Sequence, residues 1–160
     1  EYKTWYKNGI LKKHFNYVNG ELYGEYKLWY SSSSSKKGVL THHYMCIHNK
    51  YDGSFEEWHR NGQLKLKFDC VRKQEGEYKE WHEDGKLTKK CYYLNGKYHG
   101  EFKEWYYTHL LKRCAYVNGT LHGEYSEWCT DGSLFRNCVY VDGKLEGECM
   151  VRARENKTGI

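Results

Sequence analysis

The sequence predicts an all-β chain: an elongated array of antiparallel β-hairpins, a single-layer twisted meander of six units of about 23–24 residues. Three observations predict it. Glycines opening the same pattern recur at Gly24, Gly53, Gly76, Gly100, Gly123 and Gly147, separated by 29, 23, 24, 23 and 24 residues, the signature of a repeat architecture. Counting each opening Gly as zero, every Trp of the chain falls at offset 5: Trp5, Trp29, Trp58, Trp81, Trp105 and Trp128. Short runs rich in Tyr, Phe, Val and Thr alternate with Asn-Gly and Asp-Gly pairs, which accept the positive φ of tight hairpin turns. The chain contains no Pro, so nothing in it removes a ladder donor by ring closure.

Each unit is read from its opening Gly. Offset 2 is aromatic (Tyr2, Tyr26, Phe55, Tyr78, Phe102, Tyr125) and opens the first strand, which ends at the Trp. A first turn follows, at Asn8-Gly9, Asn61-Gly62, Asp84-Gly85 and Asp131-Gly132. The second strand starts at a Leu column, Leu11, Leu40, Leu64, Leu87, Leu111 and Leu134, and ends at a second turn, at Asn19-Gly20, Asn95-Gly96, Asn118-Gly119 and Asp142-Gly143. The whole of 1–160 reads as one array, with units starting near 1, 24, 53, 76, 100 and 123 and a C-terminal cap over 147–160, where Cys149 and Arg152 replace the aromatic and the Trp. Glu1-Tyr2-Lys3-Thr4-Trp5 enters in phase, as though a Gly preceded it, so a longer parent array is expected. A Ser-rich loop insertion at 31–37, centred on Ser31 to Ser35, lengthens the second unit; polyserine has no apolar side chain to bury and is expected to bulge from a turn. Two turns depart from the pattern, with His109 in place of the first-turn Gly and Arg72-Lys73-Gln74 in place of a clean second turn, and both are expected to be distorted or longer.

Register stays open between two solutions. A two-residue first turn sets Glu80 against Lys89, Glu104 against Arg113 and Glu127 against Arg136, favourable cross-strand charges. A three-residue turn sets each Trp against its Leu. Strands joined in this way are sequential antiparallel neighbours, so roughly twelve or thirteen of them give a ribbon on the order of 60 Å long.

Composition suits a thin sheet: 39% of residues are hydrophobic but 18% are aromatic, at a mean hydropathy of −1.00, and Tyr and Trp cover a face while keeping polar tips wet. No run is apolar enough for a transmembrane helix, and no signal peptide is visible. The seven cysteines exchange with aromatics: Cys91, Cys114 and Cys138 share a column with Phe15, Tyr44 and Phe68, and Cys46 and Cys70 one with Tyr17, Tyr93, Tyr116 and Tyr140. Equivalent columns lie about 9.6 Å apart, two strand spacings, too far for a disulfide, so reduced, structural cysteines and a cytoplasmic setting are expected. No C-x-x-C occurs. His42, Tyr44, Cys46 and His48 would share one side of a strand, yet Cys46 and His48 alone make no metal site; His59 and His82, at offset 6 with Tyr6, Tyr30 and Tyr106, read as edge residues. The acids recur in every unit, Glu80, Glu104 and Glu127 among them, so the unit explains them better than a catalytic pair does. No enzyme activity, metal or cofactor is expected.

The formal net charge of +5 comes from Lys columns, Lys3, Lys27, Lys79 and Lys103 in one and Lys13, Lys89, Arg113 and Arg136 in another. Glu columns beside them argue against a phosphate-tracking stripe. The residues chosen as a partner-binding surface are Trp5, Trp29, Trp58, Trp81, Trp105, Trp128, Lys79, Lys103, Arg113 and Arg136, because large aromatics and Arg dominate protein interfaces.

Gly76-Glu77-Tyr78 with Trp81, Asp84-Gly85, Leu87, Tyr93, Asn95-Gly96 and Gly100, together with their counterparts, resemble the MORN-variant repeat (membrane occupation and recognition nexus), found in bacterial antitoxin-type proteins and in large DNA viruses. The resemblance covers nearly the whole chain and implies a hairpin scaffold without catalytic or metal residues. The expected function is that of a non-enzymatic structural or scaffold protein mediating protein–protein interaction, a virion or assembly component being one form of it. The alternatives are a stoichiometric inhibitor of the antitoxin kind and a membrane or nucleic-acid tether. Partners are accordingly other proteins, further copies of the chain included, with membrane lipid a second class and nucleic acid disfavoured.

Overall fold

The computed structural model describes residues 1–31, 38–70 and 75–152, with Cys70 described through its backbone alone. The six residues 32–37 of the Ser insertion, the turn at Arg72-Lys73-Gln74 and the end of the C-terminal cap lie outside the described residues. Sixteen strands follow in order: β1 (Tyr2–Trp5), β2 (Leu11–Phe15), β3 (Tyr17–Val18), β4 (Glu21–Leu22), β5 (Gly24–Trp29), β6 (Leu40–Ile47), β7 (Lys50–Trp58), β8 (Leu64–Cys70), β9 (Gly76–Trp81), β10 (Leu87–Leu94), β11 (Lys97–Tyr98), β12 (Gly100–Tyr106), β13 (His109–Val117), β14 (Thr120–Trp128), β15 (Leu134–Val141) and β16 (Lys144–Val151). No helix occurs among the described residues.

One long antiparallel sheet runs β1-β2-β5-β6-β7-β8-β9-β10-β12-β13-β14-β15-β16, with β11 paired to β10 alone and β3-β4 forming a separate two-stranded ladder. It does not close into a barrel. The order follows the chain because strands joined by short turns pair with each other. At the second turns Asn95 and Gly96 take φ of 52° and 73° between paired Leu94 and Lys97, the two left-handed residues that match the twist of the flanking strands.

Both registers foreseen at the first turn are present at once. Glu80 faces Lys89 and Trp81 faces Leu87, with the ladder shifting between them. Thr88 is the additional residue, and its hydroxyl donates to the Glu80 carbonyl at 3.2 Å. The same shift separates Thr4 from Trp5, Leu28 from Trp29, Glu57 from Trp58 and Glu127 from Trp128. A β-bulge repeated in every hairpin accentuates the right-handed twist.

The turn at His109 was expected to be distorted or longer, and it is shorter. Tyr106 pairs with His109 and Trp105 with Leu110, so Leu110 takes the place assigned to Leu111. Glu104 therefore faces Lys112, and Arg113 faces Lys103, where Glu104 against Arg113 was expected. The loss of one residue from the turn moves every later side chain of β13 by one place, and a one-residue slip reverses faces.

The core is one row along one face. Offset 2 pairs with the cysteine-and-aromatic column: Tyr2 with Phe15, Tyr44 with Phe55, Tyr78 with Cys91, Phe102 with Cys114 and Tyr125 with Cys138. Cys91, Phe102, Cys114 and Tyr125 form its buried centre, with Tyr78, Tyr93, Tyr98, Tyr116, Leu121 and Tyr140 packed around them. Burial pushes the Cys91 thiol up to about 11 and raises that of Cys114, because a thiolate is disfavoured away from water.

Cys138 departs from the expectation of reduced thiols: it forms a disulfide with Cys149, across a Cα–Cα distance of 4.5 Å. The spacing argument compared like columns two strands apart. Cys149 instead occupies the aromatic offset 2, and that column is the direct cross-strand neighbour of Cys138; Arg136 facing Val151 and Asn137 facing Met150 fix this register. The proposed sharing of one side by Cys46 and His48 also fails. Cys46 is buried in β6, whereas His48 has left the strand into the turn at φ 50° and bonds Glu21 at 2.5 Å.

Candidate interaction surface

Strand alternation assigns each column to a face. Along β9, Tyr78 and Glu80 point to the core side, while Glu77, Lys79 and Trp81 share the other. The Trp columns thus stand on the face opposite the core row. Trp5 is exposed, and Trp29, Trp58, Trp81, Trp105 and Trp128 are half-buried.

Of the four basic residues picked from sequence, three come together on this Trp face. Lys79 pairs with Lys90 across β9 and β10, and Lys103 with Arg113 across β12 and β13. Glu77 binds both Lys79 and, at 2.8 Å, Lys90. Glu101 binds Lys103 at 2.8 Å and Arg113 at 3.0 Å. Their lysine hydrogen bonds hold the carboxyls of Glu77 and Glu101 below the usual range. Four cations therefore share two carboxylates. Nearer the N-terminus the same face is balanced: Lys27 sits on Glu25 at 2.5 Å, Lys67 on Glu56 at 2.9 Å, and His43 lies between those two acids.

Arg136 is not part of that surface. It faces Glu127 across the core side, 3.8 Å away, in the column of Lys89 and Lys112. That column has a different role. Lys89 Nζ stands 5.5 Å from the Tyr78 ring, 5.7 Å from Tyr98 and 5.5 Å from Phe102; Lys112 Nζ stands 5.6 Å from Phe102 and 5.2 Å from Tyr125. These ammonium groups cap the ring faces of the core row. Grouping Arg113 with Lys89 was natural in a gapless alignment, and the short turn before β13 is what separates them.

A set of residues read only as edge aromatics couples neighbouring units. Tyr6 donates from its hydroxyl to the Trp29 carbonyl at 2.8 Å, Tyr30 to that of Trp58 at 3.4 Å, and His59 Nε2 meets that of Trp81 at 2.8 Å. These three offset-6 side chains each reach the tip of the following hairpin. His82 breaks the series: its Nδ1 lies 3.2 Å from Asp84 in its own turn. Between this turn and the short one after it a cleft of about 110 Å³ opens, lined by His82, Asp84, Lys86, Thr88, Trp105, Tyr106 and Tyr107.

Among the described residues no three His, Cys, Asp or Glu side chains converge as a metal site, and of the recurring acids Glu25, Glu57, Glu77, Glu101 and Glu127 are engaged by lysine, arginine, histidine or tyrosine neighbours.

The sequence profile described as MORN repeat variant matches residues 1–19, 51–68 and 74–97, so the chain carries MORN-variant repeats in these segments. The matched segments include Trp5, Trp58 and Trp81 with their turns. No curated protein matches the chain. Repeats of this family are non-enzymatic interaction modules.

Proposed function

We propose that this array of MORN-variant repeats is a scaffold that holds other proteins against the face carrying its Trp columns, the charged half of that face being Lys79, Lys90, Lys103 and Arg113. One observation supports the reading above the rest. Over β9 to β13, four cations share two carboxylates beside Trp81 and Trp105, on the side of the sheet the core row does not use. Aromatic rings with a polar edge and an excess of positive charge suit an acidic protein surface, where opposite potential steers encounter and the rings supply contact area. Each cation already has a carboxylate neighbour, which weakens the uniform phosphate attraction that nucleic-acid binding uses.

Affinity capture of the array from its source, followed by amine-reactive cross-linking and mass spectrometry, tests this. The expected result is several proteins linked through Lys79, Lys90 and Lys103. Recovery of a single small protein in fixed ratio would replace the scaffold with an inhibitor. Recovery of lipid or nucleic acid alone, lost as salt is raised, would replace it with a tether.

A further inference from the structure

We infer that Asn118 is an acceptor for an N-linked oligosaccharide, attached in the oxidising, membrane-enclosed compartment in which the Cys138–Cys149 disulfide also forms. The inference does not rest on the scaffold reading. It stands on a turn and a disulfide near the C-terminal end of the array and holds whatever the Trp face binds.

Asn118-Gly119-Thr120 has the Asn-x-Thr pattern that N-glycosylation requires, with no Pro between. Among the described residues no other Asn is followed two places later by Ser or Thr; Asn156-Lys157-Thr158 shares the pattern and lies outside them. The hairpin alone explains the Asn-Gly pair. Asn118 and Gly119 take φ of 51° and 86°, the left-handed pair of a tight turn, whereas the turn at the other end of β13 bends through Tyr107 at φ 54° without Gly, Asn or Asp. The residue after the pair is not dictated by the turn. It is Glu21, Lys97 and Lys144 in the other second turns and Thr120 here.

The fold leaves the acceptor accessible. Asn118, Gly119 and Thr120 are all exposed. The Asn118 N–H meets His99 Nδ1 at 3.4 Å and the Gly119 N–H donates to the Tyr98 carbonyl at 2.7 Å, so the neighbouring arm holds the turn by its backbone. No described residue hydrogen-bonds the Asn118 side-chain amide. Thr120 and Trp128 stand at opposite ends of β14, roughly 26 Å apart at about 3.3 Å per residue, so a bulky surface group at Asn118 leaves the Trp columns uncovered.

The disulfide supplies the compartment. Disulfides persist in oxidising compartments and are rare where thiol buffers keep cysteines reduced. Cys46, Cys91 and Cys114 are buried and inert under either condition, so the Cys138–Cys149 pair decides. The cytoplasmic setting followed from reduced cysteines and loses that support. In the disulfide step the thiols of Cys138 and Cys149 pass their protons and an electron pair to the disulfide of an oxidoreductase, which leaves as a dithiol. In the glycosyl transfer Asn118 Nδ2 bonds the anomeric carbon of an oligosaccharide carried on a polyprenyl diphosphate. The anomeric C–O bond breaks, the diphosphate leaves with its electron pair, and the amide gives one proton to a base of the transferase.

The test takes the protein from its source, traps free thiols at once with an alkylating reagent, and maps peptides by mass spectrometry before and after peptide-N-glycosidase in heavy-oxygen water. The Asn118 peptide should appear free of sugar only after the enzyme, with Asn118 converted to Asp and carrying the heavy oxygen, and Cys138 should be joined to Cys149 in the same sample. The isotope separates the enzyme's cut from spontaneous deamidation of the Asn-Gly pair. Made in the same cells, Thr120→Ala should lose the glycan from Asn118 and Thr120→Ser should keep it, both retaining the β-sheet circular dichroism of the parent. An unmodified Asn118 peptide, a glycan confined to Asn156, a glycan at Asn118 that survives Thr120→Ala, or alkylated Cys138 and Cys149 would each overturn the inference. None of these results bears on capture of partners by the Trp face, which cross-linking reads independently.

Discussion

The first three units and the next three fill the same core row with different chemistry. From Tyr2 to Phe55 the row is a continuous ring stack, Tyr2 on Phe15 at 4.7 Å, Phe15 on Tyr26 at 5.0 Å, Tyr26 on Tyr44 at 4.7 Å and Tyr44 on Phe55 at 5.5 Å. From Tyr78 onward rings alternate with Cys91, Cys114 and Cys138, and the faces left uncovered by the missing rings are met by Lys89 and Lys112. A thiol is a small buried hydrophobe, so replacing a ring with one leaves volume that the adjacent column must supply. The lesson is that a repeat position tolerates large changes of size when the side chain one step along the row changes with it.

Substitutions separate the two solutions. The largest effect is expected at Phe102, flanked by Cys91 and Cys114 and capped by both lysines: Phe102→Ala should cost about 3–5 kcal/mol in urea unfolding. Converting one solution into the other is the sharper test. Cys114→Phe, at a site already filled by Phe102, Tyr125 and Lys112, should destabilise by about 1–3 kcal/mol through overpacking; a neutral result would mean that the two halves are interchangeable and the comparison is empty. Lys89→Met should lose about 1 kcal/mol, the value of a partly buried cation–π contact, and the loss should persist at high salt, unlike that of a surface pair.

Much of this was legible in the chain. Columns of Trp, aromatic and Leu gave the hairpins, their order and the core row, because repetition averages out local ambiguity. The register was half visible for a physical reason: pairing Glu80 with Lys89 and Trp81 with Leu87 looked exclusive until a bulge at Thr88 satisfied both. Tyr107 carried no signal, since a left-handed turn without Gly, Asn or Asp contradicts the usual turn chemistry, and the slip it imposes moved Arg113 to the Trp face while Arg136 stayed on the core face. The disulfide was missed because Cys149 was read as the end of a ladder and not as a neighbour of Cys138. His82 could have been noticed as an offset-6 histidine followed two places later by an acid able to hold it in its own turn, where His59 is followed by Asn61.

Titration distinguishes the faces by smaller effects. Burial raises the phenols of Tyr26, Tyr44, Tyr78, Tyr93, Tyr116 and Tyr125. A folded pKa above the unfolded one contributes stability that is fully present below the unfolded value, near pH 10, and is lost as pH rises from there through the higher folded value. Phenolate absorbance should therefore appear late and together with loss of the sheet. On the Trp face the signs reverse: lysine hydrogen bonds lower Glu25, Glu77 and Glu101, so their contribution is present above about pH 4.5 and fades as pH falls below it. Glu77→Gln should flatten this acid limb by at most about 1 kcal/mol, as befits exposed pairs.

The claim on which the account turns is that partners meet the Trp face and not the core row. Side-chain footprinting of the array, alone and bound to a captured partner, reads this residue by residue. The account predicts protection at Trp81, Trp105, Lys79, Lys90, Lys103 and Arg113, with Tyr78, Lys89 and Lys112 unchanged. Protection confined to Tyr78, Lys89 and Lys112, or no protection on either face, would contradict it.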